Sequence, residues 1–209
     1  MRVLPYRWFI VCCLCLMSLA TQALQADNQH ARTWNKFAND VLALHKQRIA
    51  KIPHRVTTQT GGYAAHPDFY TQQTFIDMQG KVVSRVQWEA KAPQQLHAIE
   101  VFVRDQHGRV LRDYVAAYLP DYRNAPTQTL LSLHQYNDQL HAFRSFDASG
   151  ARVVERCTGQ YKGNAVDFIL DEDEIDAGLS GDSDRMQQAD YQACFNGLDD
   201  QPGAYLVPH

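Results

Sequence analysis

The side chains in this chain that are able to do chemistry occur in small groups, and none of these completes a catalytic or metal-binding pattern. Tyr63-Ala-Ala-His66-Pro-Asp-Phe69-Tyr70 brings three aromatics and a histidine into eight residues. Aromatic rings with a polar edge bury a large area at low conformational cost, so this stretch is a candidate binding surface. Tyr114, Tyr118, Tyr122 and Arg123 form a second candidate of the same kind, built from residue types that dominate protein interfaces.

The histidines are dispersed. His134 and His141 flank a predicted turn and are expected on neighbouring strands, within reach of His97 or His107. No His-x-His, His-x-x-x-His or His-Cys spacing occurs, so no transition-metal site is assigned. Asp171-Glu-Asp-Glu-Ile-Asp176 raises the question of calcium. A helix-loop-helix calcium loop starting at Asp171 needs a Gly at its sixth position and has Asp176 there. That segment is expected to be solvated or salt-bridged to the basic part of the chain. No metal, cofactor or catalytic residue is expected.

Glu89 and Glu100 are candidates for adjacent strands, where paired carboxylates could hydrolyse a glycosidic bond if their pKa values were split. Ser132, Ser145, Ser149 and Ser180 lack the Gly-x-Ser-x-Gly elbow, and Gly61-Gly62 is followed by no phosphate-cradling helix start. The expected function is therefore non-catalytic: an exported binding or assembly protein acting through a protein or peptide surface. Two alternatives are a small-molecule or lipid carrier with a cavity between helix and sheet, and a periplasmic hydrolase using carboxylates or histidines.

Compartment follows from the N-terminus and the cysteines. Arg2 and Arg7 precede the apolar run Trp8–Leu19, which gives way to small and polar residues. This predicts a signal peptide over residues 1–26, cut after Ala23 or Ala26. The run is shorter than the roughly 20 residues a membrane span needs, so no stable membrane insertion is expected after cleavage. Cys157 and Cys194 then remain, and in an exported chain two cysteines predict a disulfide, contributing about 4 kcal/mol through unfolded-state entropy. Localisation is periplasmic or secreted, and the partner is an envelope or secreted protein or peptide.

Charge is divided along the chain. Residues 27–166 carry 17 Lys or Arg against 12 Asp or Glu, and residues 167–209 carry 1 against 11. Such an acidic end attracts a basic body in cis and repels nucleic acid, which is excluded as a partner.

These side chains must be positioned by a single α+β domain over residues 27–209, with an acidic C-terminal segment over 167–200. Trp34, Phe37, Val41 and Leu44 recur at helical spacing, with Arg48 next in the series, and predict a helix over Asp27 to Ile52 that ends before Pro53. Asn28 is its candidate cap. Arg55–Thr60 is expected to be a short strand and the following residues a loop. Asp77-Met-Gln-Gly80, Asp105-Gln-His-Gly108 and Asp147-Ala-Ser-Gly150, each between alternating runs, predict three β-hairpins. The reading is an antiparallel meander sheet of six to eight strands with the N-terminal helix on one face. A C-terminal helix from Asp182 or Ser183 to about Phe195 is stapled to the sheet by Cys157–Cys194.

Overall fold

The structure, a computed structural model, describes residues 7–120 and 122–209, with side chains from Gln29 onward. Helix α1 (Arg7–Lys51) leads into nine strands: β1 (His54–Tyr63), β2 (His66–Asp77), β3 (Val82–Glu89), β4 (Ala92–Arg104), β5 (Val110–Ala117), β6 (Gln128–Asn137), β7 (Leu140–Phe146), β8 (Arg152–Tyr161) and β9 (Asn164–Leu170). Helices α2 (Glu172–Ser180) and α3 (Ala189–Phe195) follow. The strands form one sheet in sequence order, every neighbouring pair antiparallel. The signal-peptide expectation lies outside the residues whose side chains are described. Among the described residues no helix is long and apolar enough to cross a membrane.

Nine strands replace the expected six to eight. The segment expected to be a short strand and a loop is the β1–β2 hairpin, turning at Ala64 and Ala65. β1 is an almost wholly exposed edge strand of polar residues, so it lacks the alternation that identifies a half-buried strand. Its pairing with β2, Val56 opposite Phe75 and Thr60 opposite Thr71, defines it instead. Gly61 and Gly62 are required by close approach, because a Cβ on Gly62 would lie 2.0 Å from the His66 carbonyl oxygen.

The three Asp-x-x-Gly turns join β2–β3, β4–β5 and β7–β8. In each, one carboxylate oxygen accepts two backbone N–H groups. Asp77 Oδ1 accepts from Gln79 and Lys81 at 2.9 and 2.8 Å, and Asp105 Oδ1 from His107 and Arg109 at 2.9 Å each. Asp147 Oδ1 accepts from Ser149 and Ala151 at 2.8 and 3.0 Å. Gly80, Gly108 and Gly150 have φ of 81°, 78° and 90°, left-handed values that a Cβ disfavours.

Among the described residues all helical cover lies on one face of the sheet. α1 ends at Lys51, just before Pro53, as expected, while Asn28 falls inside the helix and does not cap it. Phe37, Val41 and Leu44 pack on Val86, Ile99, Val101, Tyr114 and Leu131 from β3 to β6. Val41, Val101, Tyr114 and Leu131 are each 0 % exposed, so no water-sized space adjoins them. Each aliphatic side chain buried here contributes about 1.5–3 kcal/mol. α2 and α3 cover the other end through Ala142, Cys157, Leu170, Ile175, Tyr191 and Phe195. Phe146 of the first cluster and Ala142 of the second are four residues apart on β7, so both clusters occupy the same face of the sheet.

The C-terminal segment differs from expectation in detail. In place of one helix over 182–195 there are α2, a 3₁₀ turn at Arg185–Gln187, and a short α3. Asp171 and Glu174 form a reciprocal cap at the start of α2, three acidic residues occupy its first turn, and Ile175 is buried beneath it. The acidic stretch is thus a capped helix whose carboxylates are exposed, the solvated segment expected. The Cys157–Cys194 disulfide joins β8 to α3 as expected. Beside it the fully buried Glu155 accepts from Arg144 Nε (2.5 Å), Arg152 (3.1 Å) and Tyr191 Oη (2.6 Å). Arg144 also donates to the Leu198 carbonyl and pairs with Asp200, tying part of the acidic end to the sheet.

Candidate binding surface

The tip of the β1–β2 hairpin folds its aromatics onto a histidine of β4. Tyr63 Oη and His97 Nε2 are hydrogen-bonded at 2.5 Å. Phe69 meets the imidazole edge-on at 5.1 Å between ring centroids, and Tyr70 stacks on it at 5.5 Å. The Tyr70 ring also fills the space a side chain at Gly61 would need, with 2.7 Å to its position. His97 is 2 % exposed, its Nδ1 has no hydrogen-bond partner among the described residues, and burial lowers its pKa, so it is held neutral. Burial raises the Tyr63 phenol, with the neighbouring Tyr70 adding to the shift. Outside this cluster a cavity of about 490 Å³ is lined by His66-Pro67-Asp68-Phe69 and by Glu89 and Lys91. It offers one apolar wall and both signs of charge.

The second candidate group reaches the same end of the sheet. Arg123 pairs with Glu89, donates to the Leu96 carbonyl at 2.8 Å and lies over the Tyr118 ring at 5.5 Å. The Tyr118 amide donates to the His97 carbonyl at 2.8 Å, and its hydroxyl donates to Asn35 of α1 at 3.1 Å. Tyr122 is half exposed. Six of the eight candidate residues (Tyr63, Phe69, Tyr70, Tyr118, Arg123 and the exposed His66) therefore belong to one assembly around His97 and Glu89, with Tyr122 beside Arg123 in the chain. Tyr114 is the correction. It is 0 % exposed in the core, donating to the Tyr205 carbonyl, and presents no surface. On β5 the alternation puts Tyr114 with Ala116 toward α1, a choice of face that α1 decides.

Among the described residues the opposite sheet face carries no helix. Its cross-strand rows include Arg85–Glu100–Val115–Leu130 and Phe102–Asp113–Ser132–Ser145. On it Gln87 donates to Gln72 at 2.8 Å and Arg85 to Glu100 at 2.5 Å, beside a groove of about 280 Å³. Farther along, Asp113 Oδ2 lies 2.6 Å from His134 Nε2, and His134 Nδ1 lies 2.9 Å from His141 Nε2. His141 stacks on Tyr136 at 4.5 Å, and burial, then the neighbouring His134, lowers its pKa. The line can hold one proton between each pair of heavy atoms and so fix the orientation of His141.

His134 and His141 thus meet as expected, whereas His97 sits in the other cluster and His107 lies exposed in the β4–β5 turn. Glu89 and Glu100 do not form a pair, since Arg123 and Arg85 engage them separately; burial raises the Glu100 pKa while Arg85 opposes it. Among the described residues no three His, Cys, Asp or Glu side chains are grouped as a metal site. The parts not foreseen are the central place of His97, the contribution of Glu89 and Lys91 to the cavity, and Asp113. Alternation puts Asp113 and His134 on wet faces of their strands, but their register runs across the Pro120–Pro126 connection, which no local pattern fixes. No protein-family model, curated protein or solved structure matches this chain.

Proposed function

We propose that this chain is an exported, non-catalytic binding or assembly protein that holds an envelope or secreted protein or peptide at the sheet end marked by Tyr63, His66, Phe69 and Tyr122. The observation that carries this reading is the convergence of the two aromatic groups around His97 and Glu89, beside the cavity of about 490 Å³. Rigid aromatic anchors at the edge of a pocket with charged rims suit a protein surface or an extended segment. The disulfide supports an oxidising compartment. Packing weighs against the carrier, because Val41, Val101, Tyr114 and Leu131 between α1 and the sheet are each 0 % exposed.

Crosslinking of the full chain in the compartment that it is exported to, followed by capture, tests the proposal. His66→Ala and Tyr122→Ala suit the test because both side chains are exposed and their removal leaves the core intact. The expected result is a defined partner whose yield falls in both variants while the thermal midpoint stays unchanged. Equal yield from wild type and variants, or no partner at all, overturns it.

A second reading has one specific observation behind it. The Asp113–His134–His141 line supplies an oriented imidazole of the kind a hydrolase uses as a general base. Turnover of ester or glycoside probes that is lost in both His141→Gln and Asp113→Asn would favour it over the binding protein.

A further inference from the structure

The two edges of the sheet are finished differently. β9 is seven residues long, has Asp167 at its middle and runs past Leu170 into α2. A short edge with a central charge and a helix at its end resists the approach of a further strand. β1 has none of these devices. It is ten residues long, keeps its register with β2 without a bulge from His54 to Gly61, contains no proline, and carries no Lys, Arg, Asp or Glu after Arg55.

In an antiparallel pair each strand turns alternate backbone N–H and C=O groups away from its neighbour. Among the described residues β1 pairs with β2 alone, and no other hydrogen bond reaches its backbone. Val56, Thr58 and Thr60 lie opposite Phe75, Gln73 and Thr71, on the face that carries α1, but α1 packs chiefly on β3 to β6. Val56 is accordingly 45 % exposed, an apolar side chain on the core face with water where a neighbouring strand would stand.

We propose that β1 pairs antiparallel with β1 of a second copy of this chain, about a two-fold axis through Thr58, joining the two sheets edge to edge. The strand is self-complementary about that axis. Val56 meets Thr60 of the second copy, Thr57 meets Gln59, and the two Thr58 side chains meet each other, so neutral side chains, most of them β-branched, adjoin on both faces. Arg55 meets Gly61 of the second copy, which sets the two arginines about 20 Å apart, beyond the screening length of about 10 Å at 0.1 M salt. A parallel pairing would put the two arginines side by side. A second copy also satisfies two open edges with one contact: the assembly closes at two chains and leaves only the blunted β9 edges outside.

The test is sedimentation velocity over a range of concentration, on protein purified from the compartment that it is exported to, with amide hydrogen exchange read on β1. The expected result is a monomer–dimer equilibrium in which the outward amides between Arg55 and Gly61 exchange more slowly as the dimer forms. Thr58→Lys, at an exposed position, sets two like charges face to face and is expected to weaken dimerisation about fivefold while leaving the thermal midpoint of the monomer unchanged. Thr58→Glu is expected to do the same, and an equal mixture of the two variants to regain the dimer. Ile169→Lys, exposed on the β9 edge, is expected to match wild type. A monomer at every concentration, a dimer that Thr58→Lys and Thr58→Glu leave unchanged, or a mixture that associates no better than either variant alone overturns the proposal. So does a series of larger species that Ile169→Lys suppresses, which would place β1 against β9.

Discussion

Tyr63 Oη and His97 Nε2, hydrogen-bonded at 2.5 Å, fasten the edge hairpin to the fourth strand across two intervening strand pairings. The bond is the only one available to this imidazole among the described residues, because Nδ1 is buried without a partner. Tyr63→Phe leaves both ring nitrogens unsatisfied and is expected to cost about 1–3 kcal/mol in urea unfolding. His97→Leu in the Tyr63→Phe background should recover part of that loss. A loss in the double variant equal to the sum of the two single losses would show that the pair is not coupled.

Acid sensitivity should come from His45. It is buried beside Phe75, hydrogen-bonded to Ser84 at 2.8 Å, and its pKa is lowered to about 4 by burial and then by His54 and Lys46. As the pH falls from about 6.5 towards 4, the unfolded chain takes up a proton that the folded chain refuses. The contribution is therefore present above pH 6.5 and is lost as the pH approaches 4, on the order of 3 kcal/mol at most. His97 and His141, also lowered, act in the same direction. Unfolding midpoints measured between pH 7.5 and 4.5 should fall less steeply in His45→Gln than in wild type.

Removing Arg144 should be among the most damaging single changes. Its partner Glu155 is 0 % exposed and would keep only Arg152 and Tyr191 as partners. Arg144→Met is expected to cost about 3–5 kcal/mol, and Arg144→Met with Glu155→Leu markedly less, since an apolar pair leaves no buried charge. Hydrogen exchange should also speed up around Leu198 and Asp200, which Arg144 ties to the sheet. Unchanged protection there would refute that tie.

The disulfide closes a loop with a sequence separation of 37. Cys157→Ser with Cys194→Ala, or reduction of the wild type, should lower stability by about 2–5 kcal/mol. Because Cys157 lies on β8 and Cys194 on α3, the C-terminal helices should loosen before the sheet. Proteolysis of the reduced protein is expected to begin between residues 171 and 209.

Local chemistry made much of this architecture legible. The Asp-x-x-Gly turns at Asp77, Asp105 and Asp147 are each built from one carboxylate, two amides and a left-handed glycine, so three hairpins follow from four-residue stretches. The stripe on α1, its end before Pro53 and the Cys157–Cys194 pairing were readable for the same reason: a helix period, a ring that breaks it, and two cysteines outside the apolar N-terminal run. β1 was not readable as a full strand, because a polar edge strand is defined by its hydrogen bonds to β2 and not by its own pattern. The tertiary structure decided which face α1 covers, and with it that Tyr114 is core while Tyr63 and Tyr122 are surface. It also brought His97 to Tyr63 and Asp113 to His134. These meetings depend on register and on helix placement, which are set by the packing of the whole core and leave no mark on any single stretch of chain.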